Sequence, residues 1–110
     1  MKEKLFENKI KEWLESKGIY RFGTPKQDKH VKQVGNYFKV WGGGFQQAGI
    51  PDLICNINGT FVAIEVKGKG GKPSKLQQIN IRDINISNGI GLIVYPDDFD
   101  RLKSEVEKLL

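Results

Sequence analysis

One cysteine and one histidine are the chain's whole supply of soft or imidazole metal ligands. Cys55 has no partner for an intramolecular disulfide and lies within an apolar run, so a buried thiol is expected rather than a reactive one. His30 sits among Pro, Gln, Asp and lysines with no second ligand nearby, and it is read as a solvent-exposed loop residue. No apolar segment approaches the length of a membrane span, and the charged, amphipathic N-terminus does not read as a signal peptide. A reducing, cytoplasmic setting without membrane contact is the expectation. Internal repeats, low-complexity blocks and long linkers are also missing. A chain of 110 residues then makes one domain, residues 1–110, with one modest core.

Arginine is scarce too, with three against fifteen lysines, and the net charge of +5 is uneven. Six basic residues and one acid lie between Lys17 and Val40, and four lysines without an acid lie between Lys67 and Lys75. From Pro96 to Leu110 the balance reverses, with five acids and three bases. Clustered positive charge on a small domain suits a polyanion such as nucleic acid, and it equally suits a solubilising lysine surface. Lysines make point-charge phosphate contacts rather than bidentate base contacts, which implies low sequence specificity.

What the chain does have is concentrated between Gly49 and Lys67. Asp52 begins one apolar run, Asp52–Ile57, and Glu65 and Lys67 close another, Thr60–Val66 with Lys67 following. Asn58-Gly59 between them is a two-residue hairpin signal, because both positions tolerate positive φ. Counting outward from that turn brings Asp52 roughly opposite Glu65. Strand alternation puts Glu65 and Lys67 on one face and Val62, Ile64 and Val66 on the other. Charges set into an apolar sheet are costly unless compensated.

The rest of the chain reads as supports for this hairpin. Residues 3–17 form a helix with Phe6, Ile10, Trp13, Leu14 and Lys17 at helical spacing, and Gly18 stops it. Glu7 falls at the edge of that stripe, where a surface ion pair with Lys11 is the simpler reading. Ile19–Phe22 reads as a short strand, Gly23–Lys32 as an exposed loop, and Tyr37–Trp41 as a strand. Gly42-Gly43-Gly44 breaks that strand, and a loop continues through Phe45, Gln46, Gln47 and Ala48. Gly68–Pro73 is a basic loop that lacks the glycine and lysine spacing of a P-loop. Ser74-x-x-Gln77 is a capping box opening a helix to about Ile86. Asn88-Gly89 ends it, Ile90–Tyr95 is a buried strand, and Asp98–Leu110 a last helix with a stripe of Phe99, Leu102, Val106, Leu109 and Leu110. Asp97, Asp98 and Asp100 suit a helix N-terminus. The order of helix, about three strands, helix, strand and helix predicts an α/β fold with a mixed sheet.

Two carboxylates converging on one face need a cation or a shared proton. Without His or Cys, such a site selects a hard divalent ion, Mg²⁺ or Mn²⁺. A neighbouring lysine can hold a water or neutralise developing negative charge. The combination predicts metal-dependent phosphodiester hydrolysis. The simpler alternative is a buried Glu65–Lys67 ion pair with Asp52 at a turn.

These residues resemble a known family. Gly-Ile-Pro-Asp52-Leu-Ile, then Ala-Ile-Glu65-Val-Lys67, then Gly-Lys-Pro-Ser74-Lys-Leu-Gln77, is similar to the VRR-NUC domain of the PD-(D/E)XK nuclease superfamily. The likeness runs from Glu7 to Tyr95. It implies an αβββαβ restriction-endonuclease-like core, followed here by a C-terminal helix. It implies that Asp52, Glu65, the carbonyl of Val66 and the helix residue Glu7 hold Mg²⁺ or Mn²⁺. Lys67 would act at the attacking water, and Gln77 would serve as both cap and site hydrogen bonder. Val66-Lys67 stands where the family's name records arginines.

Small stand-alone members resemble phage and bacterial proteins acting as homodimers on branched DNA, including four-way (Holliday) junctions, in the bacterial or infected-host cytoplasm. Lys69, Lys72 and Lys75 would then contact phosphates near the site, with Lys26, Lys29, Lys32 and Lys39 extending the footprint. Tyr37, Phe38 and Trp41, or the N-terminal helix with Trp13, are candidate dimer surfaces. A non-cleaving DNA-binding module and a less selective flap or nick nuclease are the alternatives.

Overall fold

The computed structural model describes residues 1–42 and 47–110. The first helix, α1, spans Glu3–Ser16 and buries Phe6, Ile10 and Leu14, one per turn. It ends at Gly18, whose φ of +87° is the left-handed stop expected of glycine. A side chain there would also collide with the Lys32 carbonyl, 2.1 Å from an added Cβ.

Five strands follow in the spatial order β1-β2-β3-β4-β5, which is also their chain order. They are β1 Ile19–Arg21, β2 Gly35–Lys39, β3 Leu53–Ile57, β4 Thr60–Val66 and β5 Ile90–Val94. The outer pairs β1–β2 and β4–β5 are parallel, and the central pairs β2–β3 and β3–β4 are antiparallel. The β3–β4 turn is Asn58-Gly59 with φ of 48° and 89°, as its residue types demand.

Alternation along these strands sorts their side chains onto two faces. Leu53, Cys55, Ile57, Val62, Ile64, Val66, Leu92 and Val94 share the core with α1 and with Leu102 and Val106 of α3, Phe99–Glu107. Phe6 and Phe99 meet edge to face at 5.5 Å across this layer. The opposite face carries α2, Lys75–Ile86, where Ile81 packs so closely on β5 that a Cβ on Gly91 would lie 2.9 Å from the Ile81 carbonyl. The predicted capping box of α2 is present, while Asp98 turns back into the 3-10 turn and its side chain does not cap α3. Ser74 and Gln77 form the reciprocal capping box of α2, and Asp98 accepts from the Tyr95 amide at 2.9 Å.

The expected α/β architecture with a mixed sheet is what folds, with differences in detail. Four strands, not about three, precede α2, because Ile19–Arg21 pairs in parallel with β2 at the sheet edge. The second strand is Gly35–Lys39 rather than Tyr37–Trp41. Asp52 stands just before β3 rather than inside it. The last helix begins at Phe99 after a 3-10 turn at Pro96–Asp98, and Leu110 is exposed rather than part of its apolar stripe. The glycine break and loop expected through Gly43, Gly44, Phe45 and Gln46 lie outside the described residues.

Candidate functional site

The site is assembled at the end of the hairpin away from its turn. The register pairs Leu53 with Ile64, and the next step of the same ladder sets Asp52 across from Glu65. Asp52 is held there by the backbone, since its Oδ2 accepts the Val66 N–H at 2.8 Å. Glu65 projects from β4 on the face opposite Ile64 and Val66 and is 2% exposed. Its Oε2 takes two donors, Lys67 Nζ and Gln77 Nε2, each at 3.2 Å. Its Oε1 is buried and has no hydrogen-bond partner among the described residues.

That environment changes the carboxyl group. Burial pushes the Glu65 pKa up, the adjacent Asp52 charge pushes it further, and Lys67 opposes both only in part, leaving it at about 7. In water the same group would titrate near 4.5. Two acids held together in this way favour one proton between them or one cation.

Gln77 makes both of the contacts expected of it. Its Oε1 accepts the Ser74 N–H at 2.8 Å while its Nε2 donates to Glu65. The capping box thus fixes the rotamer of a glutamine that reaches into the site.

Glu7 reaches the same end of the sheet from α1. It is 6% exposed and makes the i, i+4 pair with Lys11 at 3.0 Å. It also accepts from Lys39 Nζ at 2.5 Å, and that ammonium stands 3.5 Å from Asp52 Oδ1. Burial raises the Glu7 pKa, but the bonds and charges of Lys39 and Lys11 outweigh burial and hold it below its ordinary value. Lys39 is shifted up for the reciprocal reason: burial lowers its pKa, and Glu7 and Asp52 more than restore it.

Lys39 therefore stands in the carboxylate cluster instead of on an open phosphate-binding surface. Sequence reasoning missed this role, although Lys39 at the last position of an apolar strand was the available signal. The other lysines divide. Lys69 and Lys72 are exposed on the segment that leaves Lys67 for α2, and Lys75 is exposed at the first position of that helix. Lys26 is exposed in the β1–β2 connection, and Lys29 is engaged by Gln33 Oε1 at 2.9 Å. Lys32 abuts Gly18 at the hairpin-turn end, so it lies across the sheet from the carboxylates. Tyr37 is buried, 1% exposed, with its hydroxyl donating to Glu15 at 2.6 Å, which removes it from any docking surface. Phe38 and Trp41 are exposed, and Trp13 is partly buried against the core.

Among the described residues, no cluster of three or more His, Cys, Asp and Glu side chains could hold a metal ion. Glu7 is accordingly not gathered into a three-carboxylate set with Asp52 and Glu65, because Lys39 lies between them. The Asp52–Glu65 pair does fit a hard divalent cation of the Mg²⁺ type, which is commonly bound by one or two carboxylates and keeps several waters. The fit rests on the unpartnered Glu65 Oε1 beside a second carboxylate. No family model matches the chain, and no curated protein or solved structure matches it either.

Proposed function

We propose that the chain is a Mg²⁺- or Mn²⁺-dependent DNA endonuclease that hydrolyses phosphodiester bonds in branched DNA, including four-way junctions, as a homodimer on a restriction-endonuclease-like core. The observation that carries this reading is the pairing of Asp52 with a buried Glu65 whose Oε1 has no partner, in contact with Lys67 and Gln77.

Asp52 and Glu65 would hold the cation, with the Val66 carbonyl as the further ligand that the resemblance implies. When bound, such an ion supplies Lewis acidity toward a phosphoryl oxygen and a water. The residues of the chain do the rest. Lys67, 12% exposed and anchored on Glu65, presents an ammonium beside the reacting phosphate and balances its developing charge. Gln77 keeps the Glu65 carboxylate oriented. The Val66 amide keeps Asp52 from rotating away. Lys69, Lys72 and Lys75 extend positive charge outward from the site and favour a phosphate backbone over any particular base. A symmetric junction needs two related cuts, which two copies of a one-site chain provide.

The test is cleavage of a labelled synthetic four-way junction with and without Mg²⁺ or Mn²⁺, alongside a flap and a linear duplex. Wild-type cleavage that disappears in Asp52→Ala and in Lys67→Ala supports the assignment. Unchanged cleavage in either variant sinks it. One feature favours a second reading, a non-cleaving branched-DNA module. Lys39 already bridges Glu7 and Asp52, with Lys11 also on Glu7, so the protein can hold this cluster together without a divalent ion. Junction binding with no turnover in any divalent metal identifies that case.

A further inference from the structure

Beside the carboxylates, a groove of about 360 Å³ opens between the end of β2 and the segment leading to Asp52. Phe38, Trp41, Ile50 and Ile54 line it with apolar surface, Gln47 adds an amide, and Lys39 forms the end nearest the site. Trp41 is 60% exposed and Phe38 41% exposed, although both are large apolar rings. Phe22, 58% exposed, lies against Phe38 with ring centroids 5.8 Å apart, so the aromatic surface continues past the groove. Lys39 joins this surface to the acids, with its Nζ 5.7 Å from the Trp41 ring centre and 3.5 Å from Asp52 Oδ1.

We propose that this groove receives an unpaired nucleobase stacked on Trp41, and that it thereby directs the chain to DNA with unpaired or splayed bases near the cut. This rests on the nucleic-acid reading of the adjacent site. Three observations favour a base over a second copy of the chain. Exposed flat rings stack bases of any sequence, in keeping with a site poor in arginine. The groove ends on a lysine bound to two carboxylates, a charged group that a protein interface core tends to exclude. A nucleotide matches this arrangement, with its ring on the apolar floor and its phosphate toward the Asp52–Glu65 pair, where the proposed cation would meet it.

Trp41 lies beyond the last residue of β2 and is mostly in solvent, so its replacement leaves the core intact. The measurement uses a Trp13→Phe background, in which Trp41 is the only tryptophan, in chelator so that no strand is cut. The probes are oligothymidylate, a duplex with one unpaired thymidine, the same duplex with an abasic site in place of that thymidine, and a fully paired duplex. Trp41 emission is expected to be quenched by the first two and little changed by the last two. Trp41→Ala is expected to weaken anisotropy-detected binding of oligothymidylate by roughly 5- to 150-fold and to leave the paired duplex within about twofold. Trp41→Phe should keep most of the affinity.

Binding without selective quenching overturns the stacking proposal and leaves the nuclease reading untouched. Quenching without cleavage in any divalent metal leaves stacking standing and removes the nuclease. A wild-type dimer that dissociates in Trp41→Ala, with oligothymidylate binding unchanged per chain, assigns the groove to a second copy and overturns the proposal.

Discussion

Gln77 Nε2 donates to Glu65 Oε2 at 3.2 Å while the same side chain closes the capping box on Ser74. One residue therefore links the start of a helix to a buried acid. Gln77→Ala removes both links and should lower stability by about 1 kcal/mol through the cap alone. Gln77→Glu separates the two. It can still accept the Ser74 amide, but it places a second acid beside Glu65. Its unfolding midpoint in chelator should fall at pH 8 and recover at pH 5, where one of the acids is protonated. Equal losses for both variants at both pH values would mean that the contact with Glu65 carries no energy.

Glu65 gives the metal-free protein a second pH dependence of definite sign. Its folded pKa, about 7, lies above the ordinary 4.5, so the folded state holds a proton that the unfolded chain releases. The resulting stability is fully present below pH 4.5 and is lost as pH rises through about 7. The ceiling on this contribution is on the order of 3 kcal/mol. Urea unfolding in chelator should give a lower stability at pH 8 than at pH 5, and Glu65→Gln should flatten the difference. Glu7 acts in the other direction and in another window. Its lowered pKa contributes stability that is lost as pH falls below about 4.5. Added Mg²⁺ competes with the Glu65 proton, so its stabilising effect should grow from pH 5 to pH 8.

Lys39 supplies the positive charge that Glu7 and Asp52 share, and its removal exposes how much the pair relies on it. Lys39→Met keeps the aliphatic stem and deletes the charge. The metal-free variant should lose on the order of 3 kcal/mol, because two acids with little exposure lose a partner. The rise in melting temperature caused by Mg²⁺ should be larger in the variant than in the wild type. An identical rise in both would show that Lys39 and a divalent ion do not compete for the same acids.

Cys55 is a spectator whose chemistry reports on the fold. Burial pushes its thiol pKa up to about 12, from an ordinary 9.0. At a given mildly alkaline pH, the thiolate available in the folded state is roughly a thousandfold below that of an unfolded chain. A chromogenic aromatic disulfide should therefore label Cys55 slowly in native buffer and with full stoichiometry at once in denaturant. Rapid native labelling would contradict the packing of β3.

The hairpin was readable because its information is local. Asn58-Gly59 sets the turn, the turn sets the register, and the register sets Asp52 against Glu65. The capping box was readable for the same reason, since Ser74 and Gln77 are three residues apart. Lys39 was not readable in its observed role. It meets Glu7 across 32 residues of chain, and no short pattern marks an ion pair between a strand end and a distant helix. Tyr37 was misplaced because alternate positions of β2 face opposite layers. Tyr37 turns to α1 and finds Glu15, while Phe38 turns outward. Ile19–Arg21 is too short to announce its parallel partner. Leu110 lies past the end of α3, where the helical period no longer directs side chains to the core.

The two-residue turn has a kinetic consequence. A tight hairpin of this kind closes within microseconds, and its own two arms carry Asp52, Glu65 and Lys67. If the hairpin closes ahead of its pairing with β2, Asp52 and Glu65 meet with Lys67 beside them but without Lys39. A transition state built on this hairpin would carry the part of their repulsion that Lys67 leaves uncompensated. A folding limb that quickens as the pH drops, with an unfolding limb that changes less, would be the signature of acids that meet before Lys39 arrives.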